Sequence, residues 1–204
     1  MAALLIIFFF CYQPILRGTA GYLAPSEEGK AEVVILEGVQ VVSEGGVATG
    51  IELIFNRQAA RLIVVIHRTP RKEEPFALPL NYAQLVKKEL EARGLKKDQF
   101  LMITVPVIHP ITLNEAKLVL AELEQLKVQS AILLSEGFHT RRSIGVYRQE
   151  GAKFRMHIIP RPYYISYQLN NWWLITDGVR AFVTEYLKLG YYLLRGYLSI
   201  KSAF

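Results

Sequence analysis

Residues 31–38 read Ala-Glu-Val-Val-Ile-Leu-Glu-Gly, an aliphatic and β-branched run that ends in a carboxylate and a glycine. A short apolar run of this kind, without alternation, fits a strand buried on both faces. Working outward, four similar runs follow at Leu62 to Ile66, Phe100 to Val105, Ala131 to Leu134 and Met156 to Ile159. The segments between them carry helical periodicity. It is clearest in Tyr82 to Arg93, where Leu85, Val86 and Leu90 oppose Lys87, Lys88, Glu89 and Glu91, and in Thr112 to Leu126. Gly94 is placed to stop the first of these helices. Strand and helix alternating in units of about 30 residues point to right-handed crossovers and a parallel sheet. The expectation is an α/β fold: a three-layer, Rossmann-like domain over residues 31–204, with a mostly parallel sheet of about five strands.

Composition bounds the rest. The chain has 204 residues, 51% hydrophobic and 21% charged, which suits one folded domain with an appendage and excludes disorder. With 14 Gly and 9 Pro it is neither collagen-like nor of low complexity. The formal charge of +6 suits an anionic partner, yet basic and acidic residues alternate instead of forming a block. No recognition helix or stacking platform is visible, so no nucleic-acid partner is expected. The single Cys11 can form neither an intramolecular disulfide nor a structural zinc site.

Residues 1–23 open on an almost unbroken apolar run, Met1 to Tyr12, before Gln13, Pro14 and Arg17 intervene. About 12 apolar residues are short for a span, and the basic start and cleavage site of a signal peptide are lacking. A short or truncated membrane anchor is the expectation, with Cys11 facing lipid; a buried core helix or strand is the alternative. Residues 24–30 read as a solvated linker. At the other end, Asn170 to Tyr197 form a long helical pattern, open to a break at Asp177-Gly178 or Gly190. Its aromatic residues, Trp172 and Trp173 with Tyr186, Tyr191, Tyr192 and Tyr197, suit either packing against the sheet or a bilayer interface.

In an open parallel sheet, ligands lie beyond the carboxyl ends of the strands. Three such ends carry chemistry here: Glu37-Gly38, His109 to Glu115, and Ser135 to Ser143. The last is densest. A helix starting near Phe138 would turn free amides, His139, Arg141 and Arg142 toward one pocket suited to phosphate or carboxylate, with His139 also a candidate general acid or base. The alternative makes His139 a cap and the arginines surface charges. Thr112-Leu-Asn-Glu115 matches a capping box, which would make Glu115 structural and put Asn114 at the pocket rim. Glu37, ending an apolar strand, needs a partner, and Arg141 or Arg142 is the expected one. His67 and Arg68 end the second strand and suit the pocket wall, whereas His157 reads as a core histidine. Gly45, Gly46 and Gly50 fall in the loop after the first strand without a phosphate-binding spacing, and the common nucleotide, hydrolase-elbow and zinc-protease motifs are absent. No metal site is expected, although Glu37, Glu115 and His139 offer the donors to share an ion.

Taken in order, the Ala31 to Gly38 strand, the Thr112/Glu115 helix start, the Gly137-Phe-His-Thr-Arg-Arg-Ser143 segment and the Trp172-Trp173, Gly178-Val-Arg180, Glu185 tail resemble the YdcF/SanA/ElyC family of bacterial envelope-associated proteins. The resemblance covers roughly residues 31 to 197 and implies a Rossmann-like domain, an N-terminal membrane segment and a role in envelope or cell-wall biogenesis. It also implies a polar pocket at Glu37, Thr112, Glu115, Ser135, His139 and Arg142. Two departures bring bulk and charge to that pocket: Glu37-Gly38 stands where many members have Gly-Gly, and His67-Arg68 where small residues are common.

These readings converge on a protein held at the bacterial inner membrane by its N-terminus, its domain facing outward. It would bind an anionic small molecule or lipid-linked phosphate through Gly38, Thr112, Asn114, Ser135, Arg141 and Arg142. The enzymatic alternative uses His139 with Glu37 or Glu115 on a phosphoester or nucleotide-like substrate. A third reading is a non-catalytic membrane assembly factor. Cofactor and oligomeric state stay open.

Overall fold

The computed structural model describes residues 2–39, 42–68 and 82–203, and, within these, the side chains of all but residues 2–11 and Val39. The five apolar runs form β1 (Val33–Val39), β2 (Arg61–Arg68), β3 (Phe100–Pro106), β4 (Ser130–Glu136) and β5 (His157–Tyr163), all parallel, in the order β3-β2-β1-β4-β5. Among the described residues seven helices accompany them: α1 (Ala2–Leu23), α2 (Glu44–Phe55), α3 (Tyr82–Ala92), α4 (Ile111–Gln125), α5 (Thr140–Gly151), α6 (Thr176–Leu194) and α7 (Ile200–Ala203).

The strand alternation divides the core into two layers around the sheet. Val33 and Ile35 point to the side covered by α1, α4, α5 and α6, where Ala20, Leu120, Tyr147 and Leu189 are buried. Val34 and Leu36 point to the side covered by α2 and α3, with Val47, Ile51, Val86 and Leu90. The chain winds outward from β1 through β2 to β3, then returns to the other side of β1 for β4 and β5. The reversal between β1 and β4 leaves a crevice at their carboxyl ends, because the loops that follow them turn opposite ways.

Several local expectations change. Gly45, Gly46 and Gly50 lie inside α2, not in a loop, and Gly46 and Gly50 are buried beneath Leu36 and Leu62. The C-terminal helix begins at Thr176 and runs through Gly178 and Gly190 unbroken. Gly178 sits against the Trp172 backbone, so its missing side chain serves packing. His157 is exposed at the head of β5, not buried in the core.

Helix α1 docks by its second half. Arg141 Nε donates to the Tyr22 carbonyl at 2.6 Å, Tyr186 Oη to that of Thr19 at 3.1 Å and Trp172 Nε1 to that of Leu16 at 3.4 Å. Residues 24–30 are mostly solvated, though Glu27 pairs with Arg148 and Glu28 with Arg161. Among the described residues no helix is long and apolar enough to cross a membrane. The side chains of residues 2–11 and that of Cys11, expected to face lipid, lie outside the described residues.

Candidate functional site

Glu37 and Ser135 become neighbours because β1 and β4 are paired in register up to Leu36 and Leu134. The β1–β2 register slips between Leu36 and Val39, one extra residue on β1, which re-aims Glu37 and Gly38 at the end of the strand. After β4, Gly137 turns with φ of +44° and Tyr167 Oη occupies the space its Cβ would need, so glycine is required there. The 3₁₀ turn Gly137–His139 that follows is anchored by Phe138, fully buried among Tyr167, Trp172 and Phe182. That anchor holds His139 over the carboxyl end of β1.

Glu37 is buried and accepts three hydrogen bonds: from Ser135 Oγ, from Ser143 Oγ at 2.5 Å and from His139 Nε2 at 3.0 Å. Burial alone would raise its pKa, but the His139 charge and these donors outweigh it and hold the carboxyl below its ordinary range. On the far side of the imidazole, His139 Nδ1 meets Arg142 Nη2 at 2.6 Å and Glu185 Oε2 at 3.3 Å. The arginine contact is a hydrogen bond when Nδ1 carries a lone pair, and the glutamate contact when it carries a proton. Both protonation states therefore have a partner in place. Burial lowers the imidazole pKa, yet the facing carboxylates of Glu37 and Glu185 dominate and raise it to about 9. Arg142 is held by Glu185 (Nε to Oε2, 3.0 Å), by the Thr112 hydroxyl (2.7 Å) and by the Tyr192 ring, 4.8 Å away. Glu185 resists burial because His139, Arg142 and Lys188 surround it, and its pKa falls well below the carboxylate range.

A second carboxylate–histidine pair lies across Gly38. Glu115 Oε2 is 2.5 Å from His67 Nε2, while Oε1 accepts from the Gly38 amide at 3.1 Å and the Tyr147 hydroxyl at 2.8 Å. Here burial prevails over the His67 hydrogen bond, the nearby negative charge of Glu37 adds to it, and the Glu115 pKa is raised. Gly38 has no space for a side chain, since a Cβ would lie 2.6 Å from His67 Nε2 and 2.7 Å from Glu115 Oε2.

Two cavities meet at Glu37, Gly38, His139 and Lys188. The larger, about 530 Å³, is acidic and hydroxyl-rich: Glu136, Asp177 and Glu185 face Arg180, with Ser166 and Thr184 on its wall. The smaller, about 420 Å³, is lined by His67, His109, Arg142 and the first turn of α4, with Tyr191, Tyr192 and Tyr197 opposite. Pro110 is the N-cap of α4 and, among the described residues, no side chain caps it. Its leading amides and positive dipole end therefore remain open toward an anion.

The site keeps Glu37, Gly38, Thr112, Glu115, Ser135, His139 and Arg142 together, and His67 joins them as expected. Several assignments change. Arg141 points away, over the Tyr22 ring at 4.4 Å, and neutralises the carboxyl end of α1 instead of a ligand. Asn114 donates to the Ile108 and Pro110 carbonyls at 3.2 Å each, bracing the loop before α4 instead of the rim. The capping box does not form, because α4 starts one residue before Thr112 and both its members are drawn to the site, Thr112 to Arg142 and Glu115 to His67. His139 is the N-cap residue of α5 but its side chain makes no capping hydrogen bond there, and the partner of Glu37 is His139, not an arginine. Glu37, Glu115 and His139 do not form a metal set: among the described residues no three metal-binding side chains are grouped.

Glu185 and Lys188 were not assigned to the site from sequence. A signal existed for Glu185, since it shares a helical face with Gly178, Leu189 and Tyr192, all buried, and a carboxylate on such a face demands a cation. Compared with known proteins, the chain matches no family model and no curated relative.

Proposed function

We propose that this chain binds a phosphate-bearing or otherwise anionic substrate across the two cavities and acts on it by acid–base chemistry centred on His139. The observation that carries this reading is one imidazole held between two buried carboxylates where the cavities meet. The anionic group belongs in the smaller cavity, where the open amides of α4, His67, His109 and Lys188 offer donors. Arg142 contributes charge there, but its guanidinium is already committed to Glu185 and Thr112. Glu37, held ionised, orients His139 and stabilises its charged form; His139 is the group that gives or takes the proton; Glu115, with its raised pKa, is a second acid across Gly38. In the same reading residues 1–23 hold the protein at a bacterial inner membrane with the domain outward, a view supported by the apolar run and by the resemblance to YdcF-like proteins.

The test is a thermal-shift titration of the full chain with inorganic phosphate, sugar phosphates and nucleotides, beside His139→Asn and Glu37→Gln. It is paired with turnover of phosphoester and pyrophosphate probes with and without Mg²⁺. A ligand at 100 times its Kd stabilises the fold by about 2.7 kcal/mol, and that shift is expected to shrink in both variants. Loss of His139 or Glu37 is expected to cost turnover by about 10²-fold or more. Equal shifts in all three proteins, with no turnover, would overturn the reading.

A further inference from the structure

Helix α6 has four sides, and one of them is covered by nothing among the described residues. Gly178, Glu185, Leu189 and Tyr192 face the core. Phe182 and Tyr186 lie on the side near α1, where Tyr186 stacks on Tyr22 and donates to Thr19. Asp177, Arg180, Ala181, Thr184 and Lys188 wall the larger cavity. At about 100° per residue, Val179, Val183, Leu187 and Leu194 fall on one stripe between the α1 side and the cavity side. Leu194 is 90% exposed, Leu187 70%, Val183 51% and Val179 40%, far more than isolated surface apolar residues require.

We propose that this stripe lies on the surface of a bilayer carrying anionic lipid, so that the cavity mouth beside it opens at the headgroup level. Three observations favour lipid as the occupant. First, the stripe borders the side of α6 that packs on α1, where Tyr186 meets Tyr22 and Thr19, and residues 2–11 of α1 are apolar in sequence without exception. Second, its borders carry cations and aromatic rings on the same helix and just beyond it: Arg180 and Arg195 with Tyr191 and Tyr197. Third, the cations point the charge complementarity toward anionic headgroups and away from a second basic copy of this chain, which carries +6. A substrate entering there would be an amphiphile whose anionic head reaches the cavity while its tail stays in the bilayer. That last step rests on the function proposed above; the lipid contact does not.

The experiment uses the full chain with Cys11→Ser, which removes its one cysteine. An environment-sensitive dye is attached at Leu187→Cys, Leu194→Cys or, as a control at the opposite end of the domain, Glu124→Cys. Each protein is mixed with phosphatidylcholine vesicles, with and without phosphatidylglycerol, containing lipids brominated on the acyl chain. The dyes at 187 and 194 should be quenched about twofold or more, more strongly with phosphatidylglycerol, and the dye at 124 should not. Dyes at 187 and 194 that behave like the control would overturn the proposal. So would a blue shift that appears without vesicles and grows with protein concentration, because a second copy would then cover the stripe. Phosphate binding read by thermal shift in His139→Asn is independent of these signals, so failure of the site and failure of the lipid contact are distinguishable.

Discussion

Two carboxylate–histidine pairs flank Gly38, and they behave oppositely. Glu37 with His139 is pushed toward ionisation, Glu115 with His67 toward keeping its proton. The residue types are the same and burial is nearly the same, so composition cannot explain the difference. What differs is the surroundings. Glu37 receives two serine hydroxyls and an imidazole that a further carboxylate, Glu185, helps to charge. Glu115 receives one imidazole, one amide and a tyrosine, and it feels the charge of Glu37 through the site. Two neighbouring buried carboxylates disfavour joint ionisation, and the one beside the charged imidazole of His139 wins.

The largest way to break this contrast is to remove Arg142. Arg142→Ala leaves Glu185 with only His139 and Lys188, frees the imidazole and the Thr112 hydroxyl, and should cost about 3 kcal/mol in urea unfolding. A loss near zero would mean that water replaces the guanidinium and that the pocket is open to solvent.

Neutral amides probe the contrast directly. Glu37→Gln removes a charge that three donors depend on, and is expected to destabilise by about 1–3 kcal/mol. Glu115→Gln imitates a protonated acid and should cost less than about 1 kcal/mol. Equal losses in the two variants would refute the division into one ionised and one protonated carboxyl.

Gly38→Ala presses a methyl between His67 and Glu115, and a cost of about 1–3 kcal/mol is expected from overpacking. Because the clash falls on the Glu115 pair alone, the Glu37–His139 pair should keep its pH dependence. That dependence has a definite sign. The folded-state pKa of His139, about 9, exceeds the unfolded value near 6.5, so its stabilisation is complete below about pH 6.5 and is lost as pH rises through 9. Unfolding free energy should fall between those values by at most about 1.4 kcal/mol per pH unit, and His139→Gln should flatten the curve. A wild-type profile already flat over pH 7–9.5 would sink the assignment.

Much of this was legible. The central runs are strands because a parallel strand buried on both faces has to be apolar throughout, as β2 and β4 are, while the edge strand β3 is only partly buried, and α3 ends one residue short of Arg93, before the expected stop at Gly94. The site was legible as a set of strand ends, since ligand-facing residues in this architecture follow the strands. Pairings were not legible. Arg141 and Arg142 are adjacent in sequence, but on a helix neighbours diverge by about 100°, which sends one to α1 and the other to the cavity. Thr112 and Glu115 have capping spacing, yet buried partners from β2 and α5 compete for them and the cap yields.

The sequence by itself determined the alternation of strands and helices, hence the layered sheet and the end at which polar residues collect, because local periodicity sets which faces must be buried. Tertiary structure alone decided the strand order, the pairing of Glu37 with His139 and of Glu115 with His67, and the recruitment of Glu185 from the last long helix. Those contacts join residues 46 to 102 positions apart. No local preference encodes them, since the free energy of a buried charge depends on which partners the whole fold brings within reach.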